Sequence, residues 1–458
     1  MKVFSDLFRP VPDRSAVTAL IAGSVGNFIE WYEFGVYGYF ATVIAARFFT
    51  PEGAGAAEGL VRTYAAFALA FFFRPLGAAL FGRLGDRVGR RPVLILVIAL
   101  MTAATALIGV LPTYATAGVL APWLLTFLRV AQGLSAGGEF GGAVSLMTEF
   151  APPGRRGLYG AWQSFTVALG LLGGAGVAAL LATVLDPAQL GDWGWRLPFL
   201  LALPMGLGAL WLRLRLEETP SFRHEPVRVV PPAREVRAAI ALGAGRVMGW
   251  AAAGYTFLVV LPSYLQSTLG ASFRQALLAT VLANAGFAVA VLPAGLLSDR
   301  VGRRPVMVTG AALVVALSVP LFNLLQDAGT SDAVKGAAVF GAGAVVGLMA
   351  GPGPAMLSEL FPTSVRHTGL GLAYALSNAV FSGCAGLIIT RSVQWTGNAD
   401  IPAYYAAAAC AVSVLTLTVG KCPVGQANRE DTDAGDRADV RDVVRRDRRG
   451  GGRAEPRR

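Results

Sequence analysis

Two glutamates three residues apart, Glu30 and Glu33, stand in GNFIEWYEFGVYGYF at 26–40, inside an otherwise apolar run. On a helix that spacing puts both carboxylates on one face, with Gly26 and Tyr37 along the same stripe. A buried carboxylate beside an arginine stays charged, and one sealed away from it takes up a proton. Two arginines are placed to serve: Arg74, and Arg129 in RVAQG, whose Gln132 and Gly133 are followed by a further carboxylate, Glu139. Alternation between the paired and the protonated state is a proton switch, and Glu30 or Glu33 with Arg129 as charge partner is the expected carrier. A permanent ion pair that fixes helix packing is the competing reading, and it weighs most on Arg74.

The second half of the chain is poorer in such groups. Arg246, Tyr255, Asn284 and Asn378 are candidate substrate contacts there, although Arg246 stands close enough to the start of its apolar run to reach the aqueous boundary. Trp31, Tyr32 and Trp250 read as packing or interfacial aromatics. Cys384, Cys410 and Cys422 show no CxxC spacing, and His224 and His367 are isolated, so neither a disulfide framework nor a metal site is indicated. No nucleophile and base constellation is present, so an enzyme is not expected, and neither is a cofactor.

The elements that must hold these groups follow from composition. With 458 residues, 54% hydrophobic and 15% charged, and a mean hydropathy of +0.56, the chain is suited to a bilayer. About twelve apolar runs of membrane-crossing length recur, at 16–43, 60–82, 93–111, 119–147, 159–182, 195–214, 238–265, 274–297, 306–325, 334–357, 367–390 and 402–420. The first is long, carries two glutamates and lacks a small-residue cleavage site, so it reads as a retained helix. The predicted fold is an all-α integral membrane protein.

Internal repetition organises it. GRLGDRVGRRPVLI at 82–95 returns as GLLSDRVGRRPVMV at 295–308, an offset of 213 residues between Asp86 and Asp299. TEFAPPGRRGLYGAW at 148–162 returns at 358–374, with Glu149 and Glu359 offset by 210. The expectation is two six-helix bundles, 16–215 and 238–420, of the same orientation. They follow an N-terminal segment 1–15, are joined by a linker at 216–237 and end in a charged tail at 421–458. Substrate is expected between the bundles. Clusters at Arg83, Arg87, Arg90 and Arg91, at Arg155 and Arg156, and at Arg300, Arg303 and Arg304 fall in alternate connections, which places those connections and both termini in the cytoplasm. The net charge of +11 is spread over these loops and the tail, and needs no nucleic acid to explain it.

GNFIEWYEFGVYGYF, FRPLGAALFGRLGDRVGRRP, RVAQGLSAGGEFGGA and APPGRRG together resemble the metabolite:proton symporter branch of the major facilitator superfamily, over residues 15 to about 420. The resemblance implies alternating-access uptake of a small organic acid or a zwitterion such as proline or betaine, driven by the proton gradient across the cell (inner) membrane, by a monomer. It associates Arg129, Gln132 and Gly133 with proton coupling. It also implies a cytoplasmic latch in which Asp86 reaches the start of a neighbouring helix, where the dipole and free N–H groups favour a carboxylate. Gly82, Arg87, Gly89, Arg90 and Arg91 belong to that latch, and Asp299, Arg300, Arg303 and Arg304 repeat it. Glu149 with Arg156, and Glu359 with Arg366, join the same network. Two departures stand out: the branch has Asp where this chain has Glu33, and the tail lacks its usual terminal pattern. A proton-driven exporter of the same fold is the rival, but its Gly-Pro signature is missing from the fifth run; a transport-inactive receptor is a further alternative.

Overall fold

The computed structural model describes residues 14–50, 55–88, 90–137, 140, 144, 147–148, 151–152, 154–214, 231–362 and 365–419; at 14–22, 82, 85–87 and 90–91 it describes the helix and not the side chain. Among the described residues twelve long helices follow one another: α1 Arg14–Tyr39, α2 Ala56–Val88, α3 Arg90–Val110, α4 Leu120–Ala136, α5 Arg156–Val184 and α6 Arg196–Leu214, then α7 Ala233–Ser267, α8 Phe273–Val301, α9 Arg303–Gln326, α10 Asp332–Glu359, α11 Arg366–Thr396 and α12 Ile401–Val419. Ten of them are long and apolar enough to cross a membrane; α1 and α4 supply the other two positions. Among the described residues there is no strand.

Several helices outrun their apolar cores, because a helix continues beyond the hydrocarbon edge where its greasy run stops. α2 reaches from Ala56 to Val88 and α7 begins at Ala233, where the sequence suggested 60 and 238. Local signals set the ends. Ser272 and Gln275 form a reciprocal cap at the start of α8, and Gly302, at φ 96°, makes the tight passage from α8 into α9 that a side chain would strain.

The repeat seen in the sequence is also a repeat of packing. In the first bundle a Cβ on Gly133 of α4, or on Gly137 that caps it, would collide with the carbonyls of Ala70 and Arg74 on α2. Across the 210-residue offset, Gly343 and Gly347 of α10 meet the carbonyls of Ala283 and Phe287 on α8, which lie 213 residues beyond Ala70 and Arg74. Small residues let backbones approach this closely in a membrane, where no hydrophobic force between helices is available.

The bundles meet along two seams. On one, α5 lies against α8 and α10: a Cβ on Gly157 would strike Gly295, and the Ser164 hydroxyl donates to the Ala350 carbonyl at 2.8 Å. On the other, α1 and α2 face α7 and α11: Gly383 and Gly386 accommodate Phe71 and Tyr64, and the Tyr64 and Ser263 hydroxyls share a hydrogen bond of 2.6 Å.

Candidate functional site

α1 is tied into its bundle by polar groups. Asn27 donates to the Thr166 hydroxyl at 2.6 Å and the Gln163 carbonyl at 3.1 Å on α5, and Tyr32 donates to the Pro198 carbonyl on α6. Tyr37 donates to the Thr63 carbonyl on α2. These bonds fix the rotation of α1, and so the direction in which Glu30 and Glu33 point.

Glu30 pairs with Arg74 of α2, Oε1 to Nη2 at 3.2 Å, and both side chains are under a tenth exposed. Proline follows Arg74, so the Phe71 carbonyl loses its helical donor and α2 can bend where the pair sits. Glu33 is wholly enclosed. Its Oε2 accepts from Thr105 of α3 at 2.8 Å, Thr105 accepts from Gln132 of α4 at 2.6 Å, and Gln132 accepts from Arg129 at 2.6 Å. The expected Arg129 partnership is thereby corrected: the direct ion pair is Glu30 with Arg74, and two side chains stand between Arg129 and Glu33. The cause is rotational phase, since Arg129 faces the aromatic side of α1 and α2.

That aromatic side is dense. The Arg74 guanidinium carbon lies 4.5 Å from the Phe34 ring centre, 4.3 Å from Phe71 and 5.8 Å from Trp31. Arg129 lies 4.9 Å from Phe34, 4.2 Å from Tyr37 and 4.9 Å from Phe67. Ring quadrupoles replace part of the hydration both cations have lost. Nε and Nη2 of Arg129, Nε of Arg74 and Oε1 of Glu33 are buried with no hydrogen-bond partner, so the network has capacity for a further polar group.

Between the bundles lies a central cleft lined by Trp31 of α1, Ser164 and Leu171 of α5, Trp250 and Tyr255 of α7, Phe287 of α8, and Tyr374, Asn378 and Ser382 of α11. The Tyr255 ring stands edge-on to Phe71 at 5.5 Å and 6.2 Å from Trp31, and its buried hydroxyl has no partner. Next to the cleft α7 and α11 depart from regular winding, widening at Thr256–Val260 and Asn378–Gly383. Side chains replace part of the helical bonding there: Asn378 donates to the Tyr374 carbonyl and Ser382 to the Ala251 carbonyl.

The other candidates divide. Tyr255 and Asn378 line the cleft. Asn284 bridges the bundles instead, donating to the Tyr39 hydroxyl at 3.3 Å and to the Leu258 and Thr280 carbonyls. Arg246 does not reach the cleft: its Nε donates to the Thr416 carbonyl on α12 at 3.3 Å and its Nη1 lies 4.0 Å from the Met356 sulfur. Its place as a substrate contact is withdrawn, because α7 turns that position toward α12. Conversely Trp31 and Trp250, read from the sequence as packing, line the cleft. Thr102, Thr105 and Ser135 went unnoticed because hydroxyls inside apolar helices usually satisfy themselves on the preceding turn.

At one end of the bundles the second matched loop makes the contacts expected of a latch. Asp299 of α8 accepts from the backbone N–H groups of Gly157 at 2.8 Å and Leu158 at 2.9 Å, the first turn of α5. Arg303 holds the same carboxylate at 2.7 Å and reaches Glu359 at 3.2 Å. Arg366 donates to the Ser358 and Phe361 carbonyls, while Arg156, Arg300 and Arg304 are exposed. In the first copy, Gly82, Asp86 and Arg87 fall in the last turns of α2, and Arg90 and Arg91 open α3, with side chains outside the description. Gly89, Glu139 and Glu149 lie outside the described residues, as do His224 and Cys422.

Comparison with known proteins agrees with this architecture. The family Sugar (and other) transporter matches residues 18–240, and Major Facilitator Superfamily matches 247–447. The chain is 37% identical over 432 residues to an ectoine/proline transporter of Corynebacterium glutamicum, covering 89% of this chain and 85% of that one. It is 34% identical over 424 residues to a proline/betaine transporter of Escherichia coli K12 (89% and 83% covered), and 33% identical over 404 residues to a citrate-proton symporter of Klebsiella pneumoniae (87% and 90%). Among solved structures, a D-xylose-proton symporter superposes with a TM-score of 0.72 at 19% identity, covering 90% of this chain and 98% of that one. Two six-helix bundles, a loop motif written twice in the sequence and relatives that cover most of the chain lead to one assignment: the chain belongs to the major facilitator superfamily of membrane transporters.

Proposed function

We propose that this chain is a proton-coupled uptake carrier for a small zwitterion that joins a carboxylate to a cationic nitrogen, the proline and betaine type. The observation that carries the reading is the buried Glu30–Arg74 pair placed one ring away from an aromatic cleft between the bundles. Relatives named for ectoine, proline and betaine support the substrate class. Trp31, Trp250 and Tyr374 offer ring faces to a cationic nitrogen, and Arg74 with the Tyr255 hydroxyl offers donors to a carboxylate.

Coupling follows from competition for Arg74. A charge left alone at mid-membrane costs on the order of 3 kcal/mol on insertion scales. When the substrate carboxylate takes Arg74, Glu30 loses that cation and takes up a proton, so the occupied carrier turns over without an uncompensated charge. Release of that proton on the other side restores the Glu30–Arg74 pair and expels the substrate. The energy source is the proton gradient, with no cofactor. The arginine distribution supports an inner-membrane carrier whose latch end and termini face the cytoplasm, working as a monomer.

The test is uptake of radiolabelled proline, glycine betaine and citrate into proteoliposomes, with and without an inside-alkaline pH gradient. Gradient-dependent accumulation of the first two, with citrate excluded, is expected. Accumulation of citrate alone would reassign the substrate, and gradient-driven efflux would make the chain an exporter.

A further inference from the structure

Three helices of the first bundle each carry two polar residues three apart: Glu30 and Glu33 on α1, Thr102 and Thr105 on α3, Gln132 and Ser135 on α4. Residues three apart share a helix face one turn from each other, so the six fall into two layers. The layer farther from the latch is the hydrogen-bonded set Glu33, Thr105 and Gln132. The layer nearer the latch is Glu30, Thr102 and Ser135, which line a second cavity closed by Gly26, Met101 and Ala209 of α6. This cavity shares no residue with the central cleft. It has room for a water molecule, and a carboxylate and two hydroxyls around it supply the polar partners a buried water needs.

The repeat supplies the control. Across the same offsets, Thr102, Gln132 and Ser135 fall on Val315, Ala342 and Val345 in the second bundle, and Thr105 falls on Ser318, whose bond to the Val314 carbonyl repeats Thr105's own bond to the Met101 carbonyl. The glycine contacts that fix the α2–α4 and α8–α10 approach are present in both halves, so helix packing does not require this polar set.

We propose that the Glu30–Thr102–Ser135 cavity is a water site through which the coupling proton leaves toward the latch end, on a route inside the first bundle and separate from the substrate's. The O–H bond of the Glu30 carboxyl breaks, the proton forms a new O–H bond on the cavity water, and the remaining carboxylate pairs with Arg74. Among the described residues, the charged groups facing Glu30 include Arg74 from α2 and Glu33 on its own helix, with Arg129 of α4 beyond Phe34; α3 brings hydroxyls, and α6 brings Ala209 with the buried Arg213 one turn further toward the latch. Separate routes let the proton leave while the substrate still occupies the cleft.

The inference rests on the proton-coupled reading, and the test separates the two. Proteoliposomes carry a lumenal pH dye, and labelled proline reports both gradient-driven accumulation and exchange without a gradient. The double variant Thr102→Val with Ser135→Ala keeps shape and removes both hydroxyls. It should lose about tenfold or more of substrate-driven proton entry and of accumulation, with exchange unchanged, as expected when a proton relay is removed. Thr102→Ser, which keeps a hydroxyl, should stay within about twofold of the parent on every readout. Parental coupling in the double variant would overturn the route, as would equal loss of exchange and accumulation in both variants, which would mark the seam as packing. If the parent itself moves no protons with proline, the proton-coupled reading fails first and the route falls with it.

Discussion

The two bundles repeat one scaffold and differ in where they keep charge. Gly133 and Gly137 have their equivalents in Gly343 and Gly347, and the latch aspartate occurs as Asp86 and as Asp299. Across the same offsets Arg74 becomes Phe287, Arg129 becomes Val339, Gln132 becomes Ala342 and Ser135 becomes Val345. Phe287 lines the cleft, where the first bundle places an ion pair one ring behind it. Close helix approach is therefore a property of the repeat, and the loop motif around Asp86 and Asp299 is repeated in sequence. Among the described residues the buried Glu30–Arg74 pair and the enclosed Glu33 and Arg129 belong to the first bundle, whereas the buried arginine of the second, Arg246, is turned to α12, and that bundle contributes apolar, aromatic and uncharged polar surface to the cleft.

The comparison is broken most severely at its point of greatest difference. Arg74→Leu leaves Glu30 without its cation, and removing one member of a buried pair costs about 3–5 kcal/mol. Gradient-driven uptake should fall by about 100-fold or more. Phe287→Leu at the equivalent position should raise KM and leave the pH dependence of uptake as in the parent. Equal effects on coupling would contradict a one-sided proton site.

Substitutions at points of likeness should act alike. Gly133→Ala and Gly343→Ala each force a methyl into a facing backbone carbonyl, and overpacking of this kind costs about 1–3 kcal/mol. The folded yield, read by fluorescence size-exclusion chromatography, should drop by a similar factor for both. A large loss from one and none from the other would mean that the bundles are not built on the same contact.

Asp299→Asn weakens two charge-assisted bonds to the start of α5 and its pair with Arg303, an effect of about 1–2 kcal/mol. The protein should remain folded while spin labels on α5 and α8 report a larger share of the latch-open state. Asp86→Asn should likewise lower transport without unfolding the protein, and parental transport by that variant would reduce Asp86 to a topology residue. The smallest effect is expected from Tyr255→Phe, which removes one unpaired hydroxyl from the cleft wall: KM for proline should rise about fivefold, worth about 1 kcal/mol, with kcat nearly unchanged. A fall in kcat alone would move Tyr255 from binding to the conformational step.

Much of this was legible before any coordinates. The apolar runs and the two matched loops announce twelve helices in two copies, because hydropathy and repetition are one-dimensional signals. The carboxylates of α1 were legible for the same reason: a charge in a greasy run demands an explanation. Which arginine each carboxylate meets was not. Helical spacing fixes faces on one helix and leaves free the rotation of its neighbour, so Arg129 was expected beside a glutamate and instead lies over Phe34, Tyr37 and Phe67. Arg246 looked available for substrate and is turned to α12 for the same reason. The cleft role of Trp31 and Trp250 was hidden because aromatic residues serve packing equally well. Only the three-residue spacing shared by α1, α3 and α4 could have disclosed the polar seam, and it gains meaning once those helices are known to be neighbours.

The central claim is that a carboxylate of α1 carries the coupling proton, and charge-neutral replacement tests it most directly. Glu30→Gln and Glu33→Gln are reconstituted separately, and labelled proline is followed under an inside-alkaline gradient and in exchange without one. A glutamine stands permanently for the protonated acid, so at least one variant should exchange proline across the membrane at near-parental rates and fail to accumulate it. Full gradient-driven accumulation by both variants would contradict the account and shift the proton role to a group outside the α1 pair.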